Sequence, residues 1–490
     1  MKQRILAFDL GTSGVKAVLL DMAGEVLRVA TESYPLYNPS QGYAEQDPED
    51  YWRGVCTACR RVMASADVAP HEIAGIAFGT QWKGMIPVDS AGKLLHRSII
   101  WLDSRASEEA ALLNEHFGKP IFGPTDYWAK LFWLRRHHPE VIERAAVILE
   151  PNAYLKWRAT GVAASDISNC FTRSPDAELD TLYSEVLAFA DIPREKLPPL
   201  VKPTDLVGHV TERAAAEMGV AAGVPVFGGN NDIFGIAVGS GCAKEGCAHV
   251  YFGSSGWIGY TVPHSSKELY FCPFDEQRDV AIFALQAIGL AFNHAVRMLY
   301  ASEMSSLGDR VFAFVDGEVD RVPAGSCGVF ATPWFFGERE PLYGADARGS
   351  FLGLSSVHGR EHMVRAVMEG ICYQLRMGAE YQSTQHGRRL GKEICVVGGG
   401  AVSGIWMQML ADVLNVTVRV PTSPRHAGAV GTAYSALIGL SVCTDYEDAA
   451  KRVRTERIFT PRRENVAVYE NGYAIFRRLY RALSDALRAM

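Results

Sequence analysis

Two short turns rich in glycine and hydroxyl residues, about half of the 490-residue chain apart, constrain the fold most. In the first, Gly11-Thr12-Ser13-Gly14 separates the apolar segment Ile5–Phe8 from Val15–Leu20, a pattern typical of two strands joined by a tight turn. In the second, Gly253-Ser254-Ser255-Gly256 lies within Tyr251–Tyr260 and repeats the same order of residue types. The repeat indicates a duplicated domain with a strand-turn-strand loop in each half. Because the chain contains 46 glycines, agreement by chance stays open at this point, although the length alone favours two or three domains.

The charge balance and the hydrophobicity exclude several classes of protein. Lys and Arg number 49 against 55 Asp and Glu, a formal charge of −6, so no broad basic surface for nucleic acid is expected. The 48% hydrophobic content excludes a largely disordered chain. No apolar run approaches the ~18–20 residues of a membrane-spanning helix. Asp9 interrupts what would be the apolar region of a signal peptide, so we expect a cytoplasmic protein whose ten cysteines are reduced.

The residues left for chemistry are carboxylates beside glycine turns. The chain has no Walker A sequence, His-Glu-x-x-His pair, Gly-x-Ser-x-Gly elbow or protein-kinase catalytic set, which disfavours those classes. Hydroxyls and backbone N–H groups in a tight turn can donate to phosphate oxygens, and an acid at the end of the preceding strand can hold Mg²⁺. Asp9 has that position relative to Thr12 and Ser13. A third glycine run, Gly398-Gly399-Gly400, precedes a helical segment and is typical either of nucleotide approach or of a structural turn.

Asp232 follows Gly228-Gly229-Asn230-Asn231 at the end of an apolar strand. An acid there can lie at the floor of a cleft and accept a proton from a substrate hydroxyl. From the residues alone, a solvent-exposed Asn-Asn-Asp turn with a helix N-cap is the favoured interpretation.

A series of short motifs occurs in a fixed order along residues 4 to about 450. The motifs are Asp9–Lys16, Glu45–Pro48, Trp101–Arg105, Lys130–Leu134, Gly228–Gly239, Gly253–Gly256, Gly337–Pro341, Arg348-Gly349, Arg365–Gly370, and Gly398–Ala401 with Ser403, Trp406, Gln408 and Asp412. Together they resemble those of the FGGY family of carbohydrate kinases, and most of all its xylulokinase-like members. No motif alone is specific, but their shared order and spacing make chance a poor explanation.

The resemblance implies an α/β fold of two actin-like, ribonuclease H-type domains with a catalytic cleft between them. Residues 1–243 would form the sugar side and residues 244–490 the ATP side. Carried over by position, Asp232 is the general base that takes a proton from the sugar hydroxyl, and Asp9 and Asp232 hold Mg²⁺. The residues assigned to ATP are Gly11, Thr12, Ser13, Lys16, Gly253, Ser254, Gly399, Gly400 and Ser403. The implied partners are a small sugar and ATP, without nucleic acid or membrane, and a homodimer stays open.

Two departures from the family pattern bear on the sugar. Where xylulokinases show Gln-Met-His-Gly, this chain has Gln81-Trp82-Lys83-Gly84, and Ile233 stands where an Asn is usual after the base. Lys83 could pair with an acidic substrate or be a surface lysine, and Trp82 could stack on a sugar face or pack in the core. The residues expected to bind the sugar are Gln81, Trp82, Lys83 and Asp232.

The preferred hypothesis is ATP-dependent phosphorylation of a ketopentose such as D-xylulose. A kinase for another sugar, a sugar acid or a polyol is the alternative within the family. A different class, a non-catalytic ATP-binding sensor of the same fold, also stays open. For Trp101-x-Asp103-x-Arg105 we expect a structural ion pair of Asp103 and Arg105 that orients the sugar-binding loop.

Overall fold

The computed structural model describes residues 3–266, 271–339 and 347–488, so Glu340-Pro341 of one family motif lies outside the described residues. The α-helices are α1 (Pro48–Ala66), α2 (Ser107–Phe117), α3 (Tyr127–His137), α4 (Pro139–Arg144), α5 (Pro151–Thr160), α6 (Ala177–Phe189), α7 (Glu212–Met218), α8 (Asp232–Gly239), α9 (Gly289–Leu299), α10 (Ala301–Leu307), α11 (Val311–Asp320), α12 (Arg360–His386), α13 (Gly404–Leu414), α14 (Ala427–Gly439), α15 (Tyr446–Lys451) and α16 (Arg463–Arg488). None of the helices within the described ranges is both long and apolar enough to cross a bilayer.

The β-strands of the described chain fall into two large sheets and several two-stranded ones. In chain order they are β1 (Arg4–Leu10), β2 (Gly14–Asp21), β3 (Val26–Ser33), β4 (Glu45–Gln46), β5 (Ile73–Thr80), β6 (Ile86–Val88), β7 (Ser98–Ile99), β8 (Val147–Leu149), β9 (Ser165–Asp166), β10 (Leu200–Val201), β11 (Leu206–His209), β12 (Pro225–Phe227), β13 (Asn230–Asn231), β14 (Ala248–Phe252), β15 (Gly256–Pro263), β16 (Cys272–Pro273), β17 (Arg278–Leu285), β18 (Phe330–Thr332), β19 (Ser350–Leu352), β20 (Glu393–Gly398), β21 (Thr417–Pro421) and β22 (Thr455–Phe459).

The chain divides into two compact units. The first runs to Ala243 and also takes Val262–Val280 and His426–Arg452. The second takes Lys244–Thr261, Ala281–Arg425 and the chain from Val453 onwards. Helix α14 is therefore remote in sequence from most of its unit and yet part of it.

The large sheet of the first unit has the strand order β11-β12-β5-β1-β2-β3, and β13 also pairs with β5. Strand β1 is antiparallel to β2 and parallel to β5. The β1–β2 register pairs Asp9 with Lys16, so both side chains lie on the same face at the end of the hairpin. The first glycine turn joins these two strands, as the sequence pattern predicts.

The other large sheet lies mainly in the second unit and has the order β16-β17-β15-β14-β20-β21-β22. Strand β14 is antiparallel to β15 and parallel to β20, and Gly253-Ser254-Ser255 joins the hairpin. In each sheet two consecutive strands form a hairpin, and a later strand pairs in parallel with the first strand of that hairpin. The half-chain repeat is thus a repeat of topology, which confirms the implied doubled ribonuclease H-type α/β fold.

Helix α1 shows how local sequence begins and ends an element that covers the first sheet. The Asp47 side chain accepts the Glu49 N–H at 2.9 Å as the N-cap, and Pro48 occupies the first turn, where its missing N–H has no cost. Asp67 ends the helix in the left-handed region at φ 50°. The buried face, which includes Tyr51, Val55 and Val62, packs into the core of the first unit.

Helices α8 and α14 of the first unit approach each other through glycine. A Cβ added at Gly431 would lie 1.8 Å from the carbonyl oxygen of Gly235, and one at Gly239 would lie 1.9 Å from that of Ala427. Only glycine, which has no Cβ, allows two helix backbones to approach this closely. At the start of α14, a Cβ at Gly428 would lie 3.2 Å from Oδ2 of Asp9. The glycine contacts therefore bring the start of α14 beside the β1 carboxylate.

Candidate active site

The glycine turn of the first unit is tightly constrained. The Gly11 N–H donates to the Gly14 carbonyl at 2.9 Å, and the Tyr34 hydroxyl donates to the Gly11 carbonyl. A Cβ at Gly14 would lie 2.3 Å from the Glu32 carbonyl oxygen of the neighbouring strand, so the position requires glycine. Ser13 is exposed at the tip of the turn. The turn can therefore present Ser13 and its backbone to a ligand, and its role toward phosphate stays a prediction.

Thr12 is held by contacts that the sequence pattern did not indicate. Its hydroxyl accepts the Trp101 indole N–H at 2.9 Å and donates to Oε1 of Gln81 at 3.3 Å. Its carbonyl accepts the Gln46 amide at 2.6 Å. Gln81 in turn donates to Oε1 of Gln46 at 2.7 Å and is buried. Thr12 and Gln81 thus fix the shape of the turn from inside the protein, and their predicted ligand contacts stay predictions.

Asp9 and Lys16 form a cross-strand pair beside the turn. Nζ of Lys16 lies 3.4 Å from Oδ2 of Asp9, and the two side chains are 35% and 17% exposed. Both groups can be reached from solvent while they contact each other. A cation and a carboxylate are therefore present where the sequence motif predicts phosphate and Mg²⁺.

Asp232 is the first residue of α8, and Asn231 is its N-cap. Oδ1 of Asp232 accepts the Ile233 N–H at 3.0 Å. Burial, and after it the negative charge of Asp9, raises the pKa of Asp232 from 3.8 to about 7, while the Ile233 N–H acts in the opposite direction. A carboxylate with a pKa near neutrality is suited to accept a proton at physiological pH.

The exposed-turn interpretation of Asn230-Asn231-Asp232 is wrong. Asn230 and Asn231 are both buried. Nδ2 of Asn230 donates to the Ser435 hydroxyl at 3.1 Å, and Oδ1 of Asn230 accepts the Thr432 hydroxyl at 2.8 Å. The N-cap part of that interpretation is confirmed, because Oδ1 of Asn231 accepts the Phe234 N–H at 2.9 Å. The distant helix α14 buries the turn, and local sequence could not indicate it.

Lys83 is not a surface lysine. Its ammonium lies 2.7 Å from Oδ1 of Asp126, and the two side chains are 17% and 5% exposed. Its backbone lies in the left-handed region at φ 63°, which is strained for a residue with a side chain. The buried ammonium of Lys130 donates to the Lys83 carbonyl at 2.9 Å and to the Ile100 carbonyl at 2.8 Å. Desolvation and the charge of Lys83 lower the pKa of Lys130 to about 7.

Trp82 packs against the core of the first unit. Its ring centroid lies 5.1 Å from that of Phe171, and Nζ of Lys83 lies 5.3 Å from the ring centroid. Its indole N–H is buried without a hydrogen-bond partner among the described residues. Core packing of the ring is therefore confirmed, while the N–H is a donor that a ligand hydroxyl could satisfy.

Asp103 and Arg105 form the expected structural ion pair. Nε of Arg105 lies 2.9 Å from Oδ1 of Asp103, and its terminal nitrogen lies 2.7 Å from both Oδ2 of Asp103 and Oε1 of Glu45. Both side chains of the pair are essentially inaccessible. Asp103 also accepts the Ala44 N–H at 2.6 Å, which links the pair to the residue just before β4.

The second glycine turn lies against the start of α9 in the second unit. The Gly253 carbonyl accepts the Gly289 N–H at 2.9 Å, and the Ser254 carbonyl accepts the Leu290 N–H at 3.1 Å. A Cβ at Gly289 would lie 2.6 Å from the Gly253 carbonyl oxygen. The turn and the helix start are thus one rigid feature, and the predicted contact of Gly253 and Ser254 with nucleotide phosphates stays a prediction.

The triple glycine begins at Gly398, the last residue of β20, in the same unit. Gly398 has φ 103° and lies against the backbone of Phe252, Gly399 is exposed, and Gly400 packs on the Phe252 ring. Ser403 is the N-cap of α13 and accepts the Trp406 N–H at 3.2 Å. Its hydroxyl also donates to Oδ1 of Asp316 at 2.9 Å. Gly399 presents exposed backbone. The predicted contact of Gly399, Gly400 and Ser403 with ATP stays a prediction.

Comparison with known proteins decides the family. Residues 4–239 match the N-terminal domain of the FGGY family of carbohydrate kinases, and residues 286–440 match its C-terminal domain. The chain belongs to the FGGY family of carbohydrate kinases. It is thus an ATP-dependent sugar kinase, and the resemblance seen in the sequence motifs is confirmed.

Several FGGY kinases are similar over almost their whole length. The xylulose kinase of Bacillus subtilis (strain 168) is 28% identical, with 99% of this chain and 98% of that protein covered. The xylulose kinase of Lactococcus lactis is 30% identical, with 98% and 97% covered, and the gluconokinase of Bacillus licheniformis is 27% identical, with 99% and 97% covered. Solved structures described as ligand-bound xylulose kinase and as gluconate kinase, both from Lactobacillus acidophilus, each match with a TM-score of 0.84 and 25% identity. The shares of this chain and that chain covered are 98% and 98% for the former and 99% and 99% for the latter. These similarities confirm the two-domain actin-like fold.

Two partners of predicted site residues were not identified from the sequence of this FGGY kinase. Asp126 directly precedes α3 and the apolar run that contains Lys130, a helix-start signal that could have drawn attention to it. Asp316 lies within α11 and carries no local signal. Burial raises the pKa of Asp316, which is consistent with its enclosed contact with Ser403.

Proposed function

We propose that this FGGY kinase transfers the terminal phosphoryl group of ATP to a hydroxyl of a ketopentose such as D-xylulose. The observation that carries the proposal is the carboxylate of Asp232, which begins a helix beside Asp9 with a pKa of about 7. The similarity to proteins named xylulose kinase supports the substrate class. Membership of a kinase family favours an enzyme over an ATP-binding sensor.

In the proposed reaction, Asp232 accepts the proton of the sugar hydroxyl as that oxygen bonds to the terminal phosphorus. The bond between this phosphorus and the oxygen of ADP breaks in the same displacement. Phosphoryl transfer needs little covalent help from the protein, so positioning and charge neutralisation supply most of the rate. Lys16 and the backbone of the first glycine turn are the proposed donors to the transferred group.

The carboxylates of Asp9 and Asp232 fit the requirements of Mg²⁺ carried by ATP. The negative charge of Asp9 contributes to the raised pKa of Asp232, a repulsion that a divalent cation would relieve. Within the described residues no group of three or more His, Cys, Asp or Glu side chains is arranged to hold a metal. Mg²⁺ in such sites uses one or two carboxylates together with phosphate oxygens and water. When bound, the ion would neutralise charge on the phosphate oxygens.

The Lys83–Asp126 pair favours a neutral sugar over an acidic one. Because the ammonium lies 2.7 Å from a carboxylate, a substrate carboxylate would have to compete with Asp126 for it. A sugar hydroxyl can instead donate to Asp126 and accept from Lys83 at once. A sugar acid is the second candidate, since a gluconokinase and a gluconate kinase are similar over the full chain.

The test is ADP release by the purified protein with Mg²⁺ and ATP across a panel of acceptors. The panel contains D-xylulose, D-ribulose, D-fructose, gluconate, glycerol and a blank without acceptor. We expect the highest kcat/KM for a ketopentose, with ADP release in the blank at least about 100-fold slower because water is a poor substitute. A higher kcat/KM for gluconate would move the substrate to the sugar acids, and no stimulation by any acceptor would contradict the proposal. The homodimer stays a prediction, which light scattering of the same sample tests.

A further inference from the structure

A buried polar chain runs from β9 to the residue before Asp232, and the reaction proposed above does not use it. Its members are Asp166 at the end of β9, Ser168 and Asn231, all inaccessible to solvent. Buried polar groups are costly unless each finds a partner. The hydrogen bonds of these three side chains therefore indicate their structural role.

Asp166 is the fixed end of this chain. Its Oδ1 accepts both the backbone N–H of Ser168 at 3.0 Å and the Ser168 hydroxyl at 2.5 Å. Its Oδ2 accepts the Asn169 amide at 2.7 Å. The buried ammonium of Lys156 lies 4.0 Å from Oδ2 and donates to the Gly228 carbonyl at 2.8 Å. A carboxylate with three donors and a neighbouring cation has little freedom to move.

Ser168 transmits this fixed position to Asn231 through two hydrogen bonds. The backbone N–H of Asn231 donates to the Ser168 hydroxyl at 2.9 Å. The Asn231 amide donates to the Ser168 carbonyl at 2.6 Å. Ser168 thus holds both the backbone and the side chain of Asn231, and its hydroxyl is the single atom that bonds to both Asp166 and Asn231.

Asn231 in turn fixes the first turn of α8. Its Oδ1 accepts the Phe234 N–H at 2.9 Å, so the cap spans the residues on both sides of Asp232. Asp232 itself is partly exposed, and its carboxylate accepts the N–H of its own neighbour, Ile233. The position of the Asp232 carboxylate is therefore set by the backbone that Asn231 and Ser168 hold.

We infer that Asp166 and Ser168 are positioning residues for the general base, acting on Asp232 through Asn231. The inference rests on the proposed function, in which Asp232 receives the proton of the sugar hydroxyl. It predicts that breaking these hydrogen bonds lowers the rate of the chemical step. ATP binding, which is assigned to other residues, should be retained. A displacement of about 1 Å in a reacting group can cost on the order of 100-fold in rate.

The experiment compares Ser168→Ala, Asn231→Ser and the matched control Ser165→Ala. Ser168→Ala removes the hydroxyl that joins Asp166 to Asn231. Asn231→Ser retains a hydroxyl that can cap α8 but loses the bonds that the amide donates to the Ser168 carbonyl and to the Cys272 sulfur. Ser165 is also buried in this region, but its hydroxyl donates to Oε2 of Glu150 at 2.8 Å. Ser165→Ala thus removes one comparable buried hydrogen bond outside the chain that leads to Asp232.

The measurements are kcat, KM for ATP and the apparent melting temperature of each variant with the best acceptor. We expect Ser168→Ala to lower kcat about 10- to 100-fold and Asn231→Ser to lower it about 10-fold. KM for ATP is expected to change less than about 3-fold in both, and kcat of Ser165→Ala to stay within about 2-fold of the parent at a similar loss of melting temperature.

The other possible results contradict either the inference or the proposed function, and the experiment distinguishes these two failures. If Ser165→Ala lowers kcat as much as Ser168→Ala does, the effect is general destabilisation and the inference is wrong. If Ser168→Ala does not fold, Asn231→Ser decides, and an unchanged kcat there also overturns the inference. If the parent enzyme phosphorylates no acceptor, or if Asp232→Asn retains full activity, the proposed function fails instead.

Discussion

The ammonium of Lys83 lies 2.7 Å from a carboxylate oxygen of Asp126, and both side chains are largely buried. The backbone of Lys83 is strained, with φ 63°, and its carbonyl is held by the buried ammonium of Lys130. Strained, well-supported residues of this kind are common at functional sites. Asp126 neutralises the charge of Lys83, which explains how a lysine can occupy this largely buried position.

Removing either member of the Lys83–Asp126 pair should impair sugar binding. We expect Lys83→Met and Asp126→Asn each to raise KM for the sugar about 10-fold. In the double variant the increase in KM should be smaller than the product of the two single increases, because the residues act as a pair. Steady-state kinetics with the best acceptor measures this. Lys202→Met is the matched control, because Lys202 pairs at 2.7 Å with Glu276 and both are about 60% exposed. Unchanged KM in all the site variants would remove the pair from the sugar site.

Asp232→Asn should separate catalysis from ATP binding. Asparagine retains the size and the bond to the Ile233 N–H but cannot accept a proton, so kcat should fall about 10²- to 10⁴-fold. Isothermal calorimetry should give a Kd for ATP within about 3-fold of the parent value. Retention of kcat in this variant would show that another group takes the proton.

The same substitution should stabilise the protein at neutral and alkaline pH. The folded-state pKa of Asp232 is about 7 against 3.8 ordinarily, so the folded protein retains a proton that the unfolded chain has released between these values. The stability contributed at this position therefore falls as pH rises from about 4 to 7 and stays reduced above 7. Since one pKa unit corresponds to about 1.4 kcal/mol, and solvent reaches this side chain, we expect a gain of about 2 kcal/mol at pH 8.

Chemical unfolding of the parent and of Asp232→Asn between pH 5 and pH 9 tests this expectation. The difference in unfolding free energy should grow with pH and level off above pH 7. A difference that is independent of pH would mean that the gain does not come from ionisation of Asp232. Unfolding must be monitored for the first unit, where the substitution lies.

Contact between α8 and α14 should be intolerant of any side chain at Gly431. A Cβ there would lie 1.8 Å from the Gly235 carbonyl oxygen, so Gly431→Ala must displace a helix and should cost at least about 3 kcal/mol of stability. Gly317→Ala is the control. Gly317 lies within α11 with nothing within 4 Å of an added Cβ, so alanine should stabilise there by about 0.5–1 kcal/mol. Equal effects of the two substitutions in denaturant unfolding would contradict the close helix contact.

Gly289→Ala should weaken nucleotide binding by disturbing the second glycine turn. Its Cβ would lie 2.6 Å from the Gly253 carbonyl oxygen, which now accepts the Gly289 N–H. We expect KM for ATP to rise about 10-fold, while KM for the sugar changes little. Gly317→Ala again serves as the control, with unchanged KM for ATP. A selective rise in KM for the sugar would argue against a nucleotide role for Gly253 and Ser254.

The amino-acid sequence by itself determined the features that depend on local chemistry and on order along the chain. The two strand-turn-strand loops could be predicted because Gly11–Gly14 and Gly253–Gly256 interrupt apolar segments that favour strands. The family followed from the order of its motifs, and the duplicated fold followed from the family. Asp232 was assigned as the base by its place in a motif, since its own neighbours favoured an exposed turn.

Only the tertiary structure decided which partners surround these residues. The burial of Asn230 by α14, the contact of Thr12 with Trp101, the pairing of Lys83 with Asp126 and the link from Ser168 to Asn231 each join segments that are far apart in sequence. Periodicity and turn propensity describe a residue's near neighbours along the chain. They carry no information about which distant side chain will pack against it, and burial and pKa depend on those distant side chains.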